Sequence, residues 1–328
     1  MMGQLVHFIS QWRSSSWRCS RRWRNPLIAA LVTLALGVAA AEVPGAGQTR
    51  SATHKRSSTK KPDDSAPPAL VELQKRVAAV QAARNSGDPH AITEASRALI
   101  ALGLRQVAHL RLVEDAFPAA IDLYKRSLDF EDSPSTRVDL AIADLRAKKL
   151  DDSITEVRTA ILADSADARA WRVQGMAYMS KEQYGLAADS LQRSIAIRDD
   201  LEAAYSLAIC FLAVHEKEKA VAVFRKMDEE AANRGAMHVL MARAYRDGGY
   251  LDDAVRELKI ALQINPKTSH AHYLLGLVSL MQEEWAPKPK IREQFLLELR
   301  LNPRDFLSTY LLGAMAFHIE ASCERMGC

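Results

Sequence analysis

The sequence predicts an all-α chain, a solenoid of tandem helix-turn-helix repeats, and three observations carry that prediction. Small residues recur at Ala108, Ala141, Gly175, Ala208, Ala242, Gly276 and Gly313, in steps of 33, 34, 33, 34, 34 and 37. Two more series keep the same register: Ala120, Ser153, Ala187, Ala220 and Ala254, then Ser127, Ala160, Ser194, Met227 and Ala261. Between these markers the apolar residues follow helical spacing, as in Val255, Leu258 and Leu262 or in Leu207 and Phe211, so each period holds two helices.

The small residues have a mechanical cause. Helix axes approach to about 8 Å only where the side chains at the crossing are small. The first series lets the second helix of a repeat nest on the first, and the third series lets the next repeat close on that pair. A lone unit leaves one face uncovered, so stability comes from stacking. A large residue stands between the first two series at Phe117, Leu150, Tyr184, Leu251 and Trp285, with Lys217 as the exception. Pro89 and Pro118 fall at first helical turns, where a missing N–H costs nothing. Asp247-Gly248-Gly249 reads as a tight turn. The acid pairs at 151–152, 199–200 and 252–253 read as helix-start acids, favoured by the positive end of the dipole.

In chain order, residues 1–41 read as a signal peptide. Arg13, Arg18, Arg21, Arg22 and Arg24 precede an apolar run from Leu27 to Ala41, too short for a span of about 20 residues and ending in Ala39-Ala40-Ala41. The expected location is exported, periplasmic or extracellular, by the ordinary secretory route; a retained signal anchor is the alternative and would be the chain's one tie to a membrane. Residues 42–68 carry Pro44, Pro62, Pro67 and Pro68 with little apolar content and read as a disordered linker. Residues 69–100 read as a degenerate repeat and 101–305 as six repeats starting near 101, 134, 168, 201, 235 and 269. The repeat from 269 carries three extra residues, Pro287 and Pro289 at the entry to its second helix, and Ile291 and Glu298 where small residues are expected. Residues 306–328 read as a partial repeat, with one helix from Leu307 to about Ile319 and a tail.

The formal charge of +4 is concentrated in the leader, and the rest is nearly balanced, which gives no electrostatic case for nucleic acid. Cys19 lies in the leader, Cys210 reads as a small buried hydrophobe, and Cys323 and Cys328 are close enough to pair but nothing in their spacing demands it. No His-Glu-x-x-His helix, paired-cysteine metal motif, nucleophile elbow or phosphate loop is present, so neither an enzyme nor a cofactor is expected. His270 and His272 would diverge on a helix and make a poor metal pair.

Trp171, Gln174, Gly175 and Tyr178, followed by Ala187 and Leu191, resemble the tetratricopeptide repeat, as do Met241, Ala242 and Tyr245 followed by Ala254, Ala261 and Pro266. The resemblance covers about three quarters of the chain. It implies a right-handed superhelix whose first helices line a concave groove for extended peptides. At the family's groove positions stand Arg105, His109, Arg146, Arg169, Arg172, Met176, Tyr205, Arg243, Arg246, His270, Tyr273 and Tyr310. An Arg-rich stripe with aromatics suits other proteins or peptides, acidic segments among them. The carboxylate clamp of the chaperone-binding members is not matched, since Met176 and Ser206 stand where it wants Asn. The expected function is an extracytoplasmic interaction scaffold. The alternative is the repeat portion of a larger or truncated catalytic or glycan-handling envelope protein.

Overall fold

The computed structural model describes residues 67–286 and 288–326, with side chains through residue 317. The expected leader, the linker up to residue 66, Pro287 and the Cys323–Cys328 pairing lie outside the described residues and side chains. The chain divides into two compact units, Met1–Ala82 and Ala83–Cys328, the division falling inside helix α1 (Pro68–Ser86). In the first unit α1 carries an i,i+4 pair, Arg76 Nε to Glu72 Oε1 at 2.9 Å.

The second unit is a run of helix pairs with no strand among the described residues. Its first pair is α2 (Pro89–Val113) and α3 (Phe117–Phe130), followed by α4 (Pro134–Arg146) and α5 (Leu150–Ala163). Next come α6 (Ala168–Ser180) with α7 (Tyr184–Ile197), and α8 (Leu201–Ala213) with α9 (Lys217–Glu230). The last are α10 (Arg234–Asp247) with α11 (Leu251–Ile264), α12 (Ala271–Gln282) with α13 (Pro289–Leu301), and the single helix α14 (Phe306–Met326). From α2 to α14 consecutive helices pack on one another, and each first helix from α2 to α10 also touches the next first helix. Adjacent second helices do not meet to that extent, which leaves crevices between them. This is the expected all-α solenoid of helix-turn-helix repeats. Among the described residues no helix is long and apolar enough to cross a membrane.

The marker residues sit where the repeat needs them. Every member of the three series is buried except Gly313. A Cβ on Gly175 would lie 2.7 Å from Leu191 Cγ, and one on Gly276 would lie 2.8 Å from Phe295 Cε1. Around Gly313 nothing lies within 4 Å, and among the described residues no helix follows α14. Two of the small third-series residues also carry hydrogen bonds: Ser127 Oγ donates to the Ala101 carbonyl and Ser194 Oγ to the Ala168 carbonyl, each at 2.8 Å. At the same register Glu298 is buried and accepts from the Tyr273 backbone N–H at 3.3 Å, so it answers an orphan donor in the first turn of α12. Phe117, Leu150, Tyr184, Lys217 and Leu251 each open a second helix. Lys217 fills a ring's place by lying over Tyr250, 5.5 Å from its centroid, while pairing with Asp253 at 2.5 Å.

The turns inside the repeats share one backbone motif. Asp115, Lys148, Glu182, His215, Gly249 and Glu284 all have positive φ, and the residue after each donates its N–H back five residues, as Lys149 does to Asp144 O at 2.8 Å. This is the Schellman closure of a helix C-terminus. Only Gly249 is the residue that relieves such a conformation. At their N-termini four of the first helices are capped by Asp88, Asp167, Asp200 and Asn233, whose side chains accept first-turn N–H groups.

Three expectations need correction. The start near residue 101 coincides with no helix break, because α2 runs through 25 residues with only Gly103 to weaken it. Helix α14 continues to Met326 rather than ending near Ile319. The acid pairs 151–152 and 252–253 stand in the first turns of α5 and α11, as expected of helix-start acids, and most of them also take part in side-chain pairs. Of all the paired acids only Asp200 caps a helix, while Asp151 pairs with Lys181, Asp199 with Lys226 at 2.8 Å, and Asp252 accepts from Gln282 at 2.6 Å. Finally, His270 is no helical partner of His272: it holds a left-handed φ before α12 and faces Glu298, whereas His272 bonds Gln294 at 2.9 Å. Cys210 is buried as expected, and burial pushes its thiol up to about 12.

Candidate functional site

The first helices α2 to α12 follow one another side by side, and the stripe residues are distributed along them. At its N-terminal end the stripe is tied into the fold. The buried carboxylate of Asp139 on α4 accepts from Arg105 Nε on α2 at 2.7 Å and pairs with Arg169 on α6, one acid holding two guanidinium groups from flanking repeats. Arg105 also donates to Ser135 Oγ at 3.0 Å. Below them Tyr124 is fully buried with an unpartnered hydroxyl; burial first, then the charge of Asp139, raises its pKa well above the ordinary tyrosine value.

The same engagement recurs further along. Arg146 reaches back to the Leu112 carbonyl at 3.1 Å and Asp115 at 2.6 Å, with its guanidinium 5.1 Å from the Phe117 ring centroid. Arg172 reaches forward to Glu202 at 2.6 Å and Asp200 at 3.4 Å, at the start of α8. These arginines fasten successive repeats, and their forks are already turned toward carboxylates. The sequence stripe omits the acids Asp139, Asp115, Asp200 and Glu202. The available signal is spacing, since each partner lies 28 to 34 residues from its arginine, about one repeat away.

Toward α10 and α12 the stripe changes. Among the described residues Arg246 pairs only with its neighbour Asp247, at 2.7 Å. Arg243 has no hydrogen bond or ion pair among the described residues, and its side chain is half-buried. Both guanidinium groups act on Tyr273 of α12. Burial raises the Tyr273 hydroxyl pKa, Arg246 and Arg243 oppose that shift, and Asp305 adds to it. The Tyr273 ring rests against Phe295, with centroids 6.3 Å apart. The structure therefore brings Arg243, Arg246 and Tyr273 into one patch across two repeats. Tyr205 and Met176 are half-buried on α8 and α6, Tyr205 against the main core, while His109 is exposed on α2. Tyr310 is exposed on α14, its ring stacked on Phe306 at 6.2 Å.

Such a surface supplies hydrogen-bond donors, positive charge and aromatic faces. Among the described residues no group of three or more His, Cys, Asp or Glu is placed to hold a metal ion.

No family model matches the chain, and no curated protein matches its sequence. Several solved structures are similar. The crystal structure of MamA is 24% identical, with 49% of this chain and 95% of that one covered and a TM-score of 0.43. YrrB, described as a TPR protein with an unusual peptide-binding site, is 17% identical over 57% of this chain and 96% of its own, with a TM-score of 0.40. A tetratricopeptide repeat protein from Parabacteroides merdae is 14% identical over 75% of this chain and 99% of its own, with a TM-score of 0.49. In their period, their paired helices and their marker residues, the repeats of this chain resemble the tetratricopeptide repeat.

Proposed function

We propose that this protein is an extracytoplasmic scaffold that binds extended polypeptide segments along its first helices, acidic segments foremost, and performs no catalysis of its own. The observation that carries the reading is the patch of Arg243, Arg246 and Tyr273, where the Arg243 guanidinium meets no carboxylate among the described residues. A carboxylate from a bound chain would supply the charge-assisted partner it lacks. Tyr205 and Met176, half-buried on earlier first helices, extend the surface with apolar and aromatic contact. A solenoid suits this task because it offers a long face instead of one enclosed pocket. The export half of the proposal rests on the Arg-rich leader and its short apolar run.

The test is affinity capture from an envelope extract with the full chain as bait, beside an Arg243→Ala, Arg246→Ala double variant. A small protein set held by the native chain and lost from the variant supports the reading. The same set on both baits, or none on either, contradicts it.

A further inference from the structure

We propose a second docking site, on the opposite side of the repeats, in which the crevice between α5 and α7 takes an apolar side chain from an acidic segment of a partner protein. It goes beyond the first-helix reading and shares no residue with it.

The crevice is floored by α6, whose Trp171, Gln174 and Tyr178 face it, and it encloses about 380 Å³. That is within the usual size of a small-ligand or side-chain pocket. Its rim is apolar where a solvated helix face should be polar. Leu162 of α5 is 88% exposed and Leu186 of α7 is 50% exposed, and both line the opening. The repeat register shows how unusual this is. At the position of Leu162 other repeats carry Asp129, Ala196, Glu229 and Gln263, and at that of Leu186 they carry Ala119, Asp152, Lys219 and Asp253. At the position of Trp171 they carry Leu104, Arg137, Ala204, His238 and His272. Three bulky apolar groups from two adjacent repeats thus converge on one crevice. Stacking of the repeats does not require it, since the other repeats stack without them.

The charges select the occupant. Arg158 and Arg193 line the crevice, and neither is ion-paired among the described residues; Asp189 is the one acid beside them. The Arg193 guanidinium lies over the Trp171 ring at 4.7 Å, and a carboxylate would supply the ion-pair partner it lacks among the described residues. An apolar side chain between the leucines with acids on either side satisfies both guanidinium groups and meets one like charge, Asp189, whereas a basic segment would meet two like charges.

The probe is a fluorescein-labelled peptide, Glu-Asp-Phe-Leu-Glu-Asp, titrated into the full chain and followed by anisotropy. Controls replace Phe-Leu by Ala-Ala, or every acid by Lys. Leu162→Gln with Leu186→Ala uses side chains that other repeats hold at those positions, so the fold is retained, and a thermal melt verifies it. The proposal expects saturable binding, weakened about ten-fold or more by that pair, by Arg158→Gln with Arg193→Gln, and by either control peptide. It expects the Arg243→Ala, Arg246→Ala variant to bind this probe as the native chain does, which separates its failure from that of the first-helix reading. Equal binding by the leucine variant, preference for the Lys peptide, or no binding at all overturns the proposal. So does a dimer in sedimentation that the leucine variant abolishes, because the occupant would then be a second copy of the chain.

Discussion

Arg105 Nε lies 2.7 Å from Oδ2 of Asp139, thirty-four residues further on, and the other oxygen of that carboxylate is paired with Arg169 of the following repeat. Asp139 is buried while both arginines are partly exposed, so the acid is the element whose loss leaves charges unmatched. Asp139→Ala is expected to lower stability by about 1–3 kcal/mol, the lower part of the range reflecting solvent screening of the two guanidinium groups. Urea denaturation of the two proteins checks it. A change of under half that lower bound would show that the pairs hold no repeats together.

Asp144 is 1% exposed, and neither carboxylate oxygen has a partner. In the following repeats the same register holds Tyr178, Phe211 and Tyr245. Burial, reinforced by Asp152, raises its pKa to about 6. A carboxyl raised in the folded state is favoured there in its protonated form. Its contribution is complete below the unfolded value near 3.8 and is lost as pH rises toward 6. The native chain should therefore become less stable by about 2–3 kcal/mol between pH 4 and pH 6.5 through this group. Asp132, Asp228 and Asp253 are lowered and act below that window, so they do not mask it. Asp144→Asn is expected to flatten the profile and to melt higher than the native chain at pH 7.5. A parallel profile in the two proteins would refute this.

The Schellman turns predict a gain from glycine. Lys148 and Glu182 hold φ of 64° and 60°. Relief of that strain, offset in part by the larger backbone freedom of glycine when unfolded, should stabilise Lys148→Gly by about 0.5 kcal/mol, visible as a higher melting temperature. Lys148→Val, with a branched Cβ, should lower it.

Glycines at one register should respond oppositely to alanine. At Gly175 a methyl group would press on Leu191, and Gly175→Ala should cost about 1–3 kcal/mol. At Gly313 the space is open inside a helix, and Gly313→Ala should stabilise by about 0.5–1 kcal/mol. Comparing the two melts tests whether α14 lacks the second helix that makes the small residue necessary.

These contrasts show where the sequence is readable. The helix pairs are legible because close crossing leaves a repeating trace in Gly175, Ala208 and Ala242 that no other constraint imposes. The turn residues are not, because the left-handed position is imposed by the backbone closure and only Gly249 betrays it. The unbroken α2 is hidden because nothing between Pro89 and Val113 stops a helix, while the marker series suggests a new start. In the candidate site the arginines are legible as a stripe. Their acids are not, because an ion pair between neighbouring repeats looks in sequence like two unrelated surface charges.

The central claim is that the first helices form the binding surface, and site-specific photo-crosslinking tests it most directly. A benzophenone side chain would replace Tyr205 or Tyr273 on that surface, and Ile264, exposed on α11, as the control. In cells, discrete adducts from positions 205 and 273, absent from 264 and lost when Arg243→Ala and Arg246→Ala are added, are the predicted result. Adducts from position 264 alone, or from all three positions regardless of the arginines, would contradict the account.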